Sequence, residues 1–245
     1  NKYFLSAVKG LGKTLLMKFK RHLLTQQTES QRPGCLIPSG QPYLDFMSEM
    51  KLLSKHYDTQ LSDLSFCKRL WGAALRISVI SHQAGLIAED QYFELKPFPQ
   101  RVQRWLRGVA VEPTVAFKEL TNLPVGDVNR LIDSTENFLD EQIRSVHAST
   151  AIFIDKVDQA IRHLTRKAWI HIQAGLIEAA WDLMSANSHI KVYASIPQEA
   201  FANFQSDIKA NLLGATSMLR YSEEELRSLM DQLTQIDRHV GPDHA

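Results

Sequence analysis

Eight consecutive residues, Ala7-Val8-Lys9-Gly10-Leu11-Gly12-Lys13-Thr14, have the spacing of a phosphate-binding loop, with alanine where the usual pattern begins on glycine. The chemistry explains the residue types. Small residues let backbone N–H groups close around phosphate oxygens, Lys13 reaches the terminal phosphates, and the Thr14 hydroxyl ligates magnesium at a helix N-terminus. Contacts to a nucleotide and Mg2+ are therefore expected from Ala7, Val8, Lys9, Gly10, Leu11, Gly12, Lys13, Thr14 and the adjoining Leu15. The competing explanation is a glycine turn before a helix that carries a surface lysine.

A loop of this kind needs a second magnesium-organising carboxylate at the end of a neighbouring strand. Ile152-Phe153-Ile154-Asp155 supplies a compact apolar run that ends on one, so Thr14 and Asp155 are the expected metal pair. A strand-terminal aspartate also serves as a helix N-cap, and that alternative stays open at this point.

The surrounding sequence has to place these groups. Tyr3 to Val8 is a short apolar run, Gly10 and Gly12 break it, and Thr14 to Leu24 carries Leu15, Leu16, Phe19 and Leu23 at helical spacing. Gln26 to Gly40 reads as a surface loop, with Cys35-Leu36-Ile37 as its one candidate strand. Tyr43 to Ala88 is patterned as helix, with Leu61, Leu64, Cys67, Leu70 and Trp71 on one face. Residues 43–125 read as a largely helical insertion. Asp127 to Val146 and Ala168 to Met184 are expected helices, and Ile190 to Ile196 an expected strand. Gln198 to Leu212 is read as helical and Ser217 to Tyr221 as a last strand. Ser222 with Glu225 forms a capping box that opens a helix to about Leu233. Strands alternating with helices are the arithmetic of a parallel sheet covered on both faces.

Composition narrows the partners. Of 245 residues, 28 are basic and 27 acidic, a formal charge of +1, so no global field implies nucleic acid or an anionic membrane. Cys35 and Cys67 lie outside any CxxC spacing, and the histidines show no metal-ligand spacing, which leaves magnesium as the expected metal. No apolar run approaches the roughly 20 residues that cross a bilayer, and a reducing, cytoplasmic setting is the expectation. The strand-like start without a methionine reads as an excerpt of a longer polypeptide, with 1–245 forming a single domain.

The loop at Ala7 to Thr14, the strand end at Ile152 to Asp158, the strand at Ile190 to Ile196 and the ending Leu219-Arg220-Tyr221-Ser222-Glu223-Glu224-Glu225-Leu226 together resemble the additional-strand class of P-loop ATPases. That class contains the AAA-type, STAND-type and KAP-type domains. The resemblance implies an α/β fold with a mostly parallel central sheet in the order 5-1-4-3-2, and ATP as the nucleotide; no NKxD-type guanine-reading motif is present. It also implies a water-activating glutamate directly after the magnesium aspartate, and this chain has Lys156 there. A lysine is protonated near neutral pH and cannot serve as base in the usual way. Asp158 is the replacement candidate, against a plain helix-start carboxylate favoured by the macrodipole. Ser195, near the end of the expected sensor strand, is placed to hold the attacking water or the γ-phosphate, with Gln198 as the other polar candidate. Lys13, Asp158 and Ser195 thus form the expected catalytic set.

Function follows from the resemblance as an expectation: binding and slow hydrolysis of Mg-ATP, coupled to movement or assembly of a homo-oligomer or an effector domain, in a prokaryotic regulatory or antiviral defence setting. The alternatives are a nucleotide-gated assembly module with little turnover and a nucleic-acid-associated motor. Arg144, Arg162 and Arg220 are finger candidates toward a neighbouring subunit. Arg101, Arg104 and Arg107 around Trp105 would be the nucleic-acid contacts, against a solvated basic helix face.

Overall fold

The computed structural model describes residues 2–28, 32–38, 57–220, 222 and 224–225. Its centre is a sheet of β1 (Phe4–Ala7), β2 (Cys35–Ile37), β3 (Thr150–Ile154), β4 (Ile190–Pro197) and β5 (Thr216–Met218). The strands lie in the order β2-β3-β4-β1-β5, which read from the β5 edge is the expected 5-1-4-3-2. Every pairing is parallel, so the sheet is wholly rather than mostly parallel.

Parallel strands need long crossovers, and helices supply them. In chain order these are α1 (Lys13–Thr25), α2 (Asp58–Leu61), α3 (Leu64–Ser81), α4 (Gln100–Leu106), α5 (Pro113–Leu120), α6 (Val125–Arg144), α7 (Val157–Ala160), α8 (Arg166–Ala186), α9 (Gln198–Asn203) and α10 (Lys209–Ala215), with a 3-10 segment at Glu89–Leu95. The helical pattern over Tyr43 to Ala88 is corrected in detail. Asp63 accepts the Ser65 backbone N–H and caps a new helix, so the run breaks between α2 and α3, and α3 ends at Ser81. Residues 43–56 lie outside the described set. The run from Gln198 to Leu212 also breaks, because Phe204 takes extended backbone and buries its ring between α9 and α10. The last strand is Thr216–Met218 rather than Ser217 to Tyr221. The capping box is formed, with the Ser222 N–H donating to Glu225 Oε2 at 2.7 Å and the Glu225 N–H to Ser222 Oγ at 3.2 Å; residues 226–233 lie outside the described set.

The two sheet faces differ. Ile152 and Ile154 of β3 join Val192, Ala194 and Ile196 of β4 in a large core that includes α3, α5, α6 and α8. The alternate residues Ala151 and Phe153 meet Met17 and Leu24 of α1 in a small second core. The helical stretch before β3 is no appendage: Leu70, Trp71, Leu75 and Phe117 are fully buried, and the Trp71 ring stacks on Phe117 at 4.2 Å. The crossing of α3 with α8 is close enough that only glycine fits at 175, where a Cβ would stand 2.7 Å from the Cys67 backbone. Among the described residues no helix is long and apolar enough to cross a membrane.

Candidate functional site

The loop after β1 turns on two glycines. Gly10 and Gly12 take φ of 93° and 79°, a region that costs a side-chain-bearing residue about 1–2 kcal/mol. Gly12 also sits at the N-cap of α1, whose own first turn carries no acidic residue, so any negative charge at the positive end of the helix dipole must come from elsewhere in the fold. Lys13 folds over the loop and donates to the carbonyls of Ala7 at 3.1 Å and Val8 at 3.3 Å.

Across the sheet, β3 ends at Ile154 and delivers Asp155, 5 % exposed, to the same edge. The Thr14 hydroxyl donates to Asp155 Oδ2 at 2.6 Å, joining residues 141 apart in the chain. Ser195, buried on β4, donates its hydroxyl to Asp155 Oδ1. The structure thus brings together Lys13, Thr14, Asp155 and Ser195, and Ser195 is directed at the carboxylate.

Lys156 follows in the left-handed region, φ 61° and ψ 18°, as N-cap of α7. For a lysine this is a strained conformation of the kind concentrated at functional turns. The turn brings Asp158 back toward the loop. Burial pushes the Asp158 carboxyl above its ordinary value, with Asp155 adding to the rise, while Lys13, Arg162 and the Gln159 backbone N–H pull it down. The Trp169 indole N–H of α8 donates to the Asp158 carbonyl at 3.1 Å and fixes the turn.

Two cavities open here. The smaller, about 130 Å³, is lined by Lys9, Gly10, Gly12, Lys13, Thr14, Asp155, Lys156, Asp158 and Gln159. The larger, about 800 Å³, lies beyond the start of the loop and has Val8, Asp158, Arg162, Trp169, Gln198 and Ala202 among its walls. Lys9 and Asp158 line both, so the two adjoin. Nothing in the sequence pattern singled out Trp169 or Ala202 for this wall; Pro197 and Gln198, directly after an expected strand, were the one available signal.

Of the other candidates, Arg162 lines the larger cavity, whereas Arg144 ends α6 just before β3, at the sheet edge opposite Asp155. Leu15 is 70 % exposed on α1 and Leu11 is half-buried. Two of the three basic residues are engaged with their own chain: Arg101 pairs with Glu119 at 2.9 Å and lies over Trp105, and Arg107 lies over Tyr92. Trp105 itself is 6 % exposed, so its ring is core and offers no platform for a base.

The donor set suits magnesium. Thr14 and Asp155 present hard oxygens beside a small cavity, and Mg2+ is held by one or two carboxylates together with phosphate oxygens and waters. Among the described residues no group of three or more His, Cys, Asp or Glu is arranged to hold a metal ion. Comparison of the chain with family models, with curated proteins and with solved structures returns no match.

Proposed function

We propose that this chain is an ATP-binding P-loop domain that hydrolyses Mg-ATP slowly and couples binding and release to conformational change or assembly. The observation that carries the reading is the Thr14 to Asp155 hydrogen bond of 2.6 Å, made between the helix that follows β1 and the end of β3 across an intervening strand. Two groups that the chemistry requires together, and that lie 141 residues apart, meet at the mouth of a glycine loop.

In this reading the N–H groups from Gly10 to Thr14 take the β- and γ-phosphates, and Lys13 exchanges the Ala7 and Val8 carbonyls for phosphate oxygens. Thr14 and Asp155 would hold Mg2+, which would supply positive charge against the phosphates when bound. Asp158 accepts the proton of the attacking water as the γ-phosphorus to bridging-oxygen bond breaks. Its raised pKa suits a base that works closer to neutrality than an ordinary carboxylate. Arg162 shares the larger cavity with Asp158, and in this reading its guanidinium stays beside the base.

A second reading is favoured by Lys156. With a cation where the water-activating glutamate is expected, ATP would act as a structural ligand that gates assembly and scarcely turns over. An antiviral setting rests on the family resemblance alone. The test is Mg2+-dependent ATP binding and single-turnover hydrolysis by the whole chain beside Lys13→Ala. Binding that needs Lys13, followed by turnover, supports the first reading. Tight binding without turnover supports the second, and no binding refutes both.

A further inference from the structure

The strand order creates a distance to be bridged. β4 lies between β1 and β3, so the backbone at Asp155 stands two strand spacings, roughly 9–10 Å, from the strand that feeds the loop. Its carboxylate nevertheless reaches Thr14 and must pass over β4 to do so. The register fixes where. Ile154 pairs with Ala194 and Leu5 pairs with Ser195, so the residue beneath the crossing is 195. It lies on the α1 side, one step beyond the stacked Phe153 and Tyr193 rings, which are 5.0 Å apart.

A residue there must be small enough to let the carboxylate cross, and it must donate, because a buried carboxylate oxygen without a donor loses its hydration with nothing in return. Ser195 meets both demands. It is 4 % exposed, and its hydroxyl is directed onto Asp155 Oδ1 while Thr14 holds Oδ2. Two hydroxyls on two elements therefore hold both oxygens of one carboxylate and fix its side-chain torsions. An ionised carboxylate has about four lone-pair sites, so two remain for a cation or its water shell.

We propose that Ser195 is a positioning residue for the divalent cation: it holds Asp155 across β4 in the orientation that pairs it with Thr14. The inference rests on the nucleotide-site reading. It gives Ser195 a role through Asp155, distinct from contact with the attacking water or the γ-phosphate. Outer partners of metal-binding carboxylates carry about 10–100-fold of metal affinity.

The experiment uses Mn2+ as the probe, its binding to the whole chain with ADP read by electron paramagnetic resonance, for wild type, Ser195→Ala, Ser195→Thr and Thr14→Ala. Thermal unfolding without ligands establishes that each variant is folded. The expected result is a roughly 10–100-fold loss of Mn2+ affinity in Ser195→Ala and retention of most of it in Ser195→Thr, which keeps the hydroxyl. Mn2+ affinity unchanged in Ser195→Ala overturns the positioning role, whatever happens to turnover. A wild type that binds no Mn2+ with ADP, or a Thr14→Ala variant that binds it equally well, overturns the nucleotide-site reading itself.

Discussion

Asp158→Asn separates chemistry from folding at the candidate site. The carboxyl sits in the first turn of α7, part-buried, with burial pushing its pKa up, Lys13 and Arg162 pulling it down, and Asp155 adding to the rise. If it accepts the water proton, its loss removes general-base catalysis, about 10²–10⁴-fold in single-turnover rate, or roughly 3–5 kcal/mol of barrier. ATP binding should persist. Stability moves the other way. A carboxyl whose folded pKa is raised contributes stability that is fully present below its unfolded pKa and is lost as pH rises through the folded value. The asparagine variant has no charge to bury, so it should be at least as stable as wild type at neutral pH. The wild-type rate should rise with pH through an acid limb above the ordinary carboxylate range. Arg162→Ala should move that limb higher still, because the guanidinium favours the ionised form. The assay is single-turnover hydrolysis with protein in excess of ATP from about pH 5 to about pH 9, beside urea unfolding of each variant. An asparagine variant that turns over at the wild-type rate, or an acid limb that Arg162→Ala leaves in place, would refute the assignment of Asp158 as base.

Gly175→Ala should destabilise the chain although alanine is the better helix former by about 1 kcal/mol. The new methyl would meet the Cys67 backbone and Cβ and the Lys68 N at 2.7 Å, and α3 must retreat from α8 to accommodate it. Overpacking of this kind costs about 1–3 kcal/mol, so the urea midpoint should fall, and an unchanged midpoint would show that the crossing has slack. Glu112, at the N-cap of α5, has its carboxyl pushed up to about 7 by burial, with Arg21 opposing. Its burial cost is absent below about pH 4, where both states are protonated, grows as pH rises above the ordinary carboxylate range, and is complete once pH has passed about 7. Glu112→Gln should therefore match wild type near pH 4 and exceed it by about 1–2 kcal/mol near pH 8, a figure discounted for partial exposure. Equal stabilities at both pH values in chemical denaturation would contradict it.

The parts of the site that were legible in the sequence are the local ones. Gly10, Gly12, Lys13 and Thr14 act within one loop, so their spacing alone carries their chemistry, and Asp155 is marked by the apolar strand it ends. The strand order was reached through resemblance, since no periodicity in 245 residues states which strand lies beside which. Ser195 was legible as a candidate but not in its partner. Its hydroxyl meets Asp155 because Ile154 is in register with Ala194, and register is settled by packing of both faces. The left-handed turn at Lys156 was hidden for a related reason: lysine has no preference for that conformation, and the surrounding turn imposes it. The break at Phe204 was missed because helical patterning persists across it, while burial of one ring outweighs a weak local propensity.

The unequal sheet faces carry a consequence for coupling. α8 buries twelve residues against the large core, whereas α1 buries Met17 and Leu24 and leaves Leu15, Phe19 and Leu23 largely exposed. Local opening is cheapest where few apolar contacts must be broken, so α1 should open at a free energy well below that of α8. The carboxylates Asp155 and Asp158 belong to the firmly packed half, and Lys13 and Thr14 to the lightly packed one. A nucleotide that bridges the two halves binds the closed arrangement better than the open one, and that difference in affinity is the free energy available for coupling. Native-state hydrogen exchange should therefore show α1 amides exchanging faster than those of α3 and α8 without ligand. Mg-ATP should protect α1 most, and Lys13→Ala should abolish the gain. If α1 exchanges only with global unfolding, or if Mg-ATP protects α8 as much as α1, the nucleotide does not draw the two halves together and any coupling must run through another part of the fold.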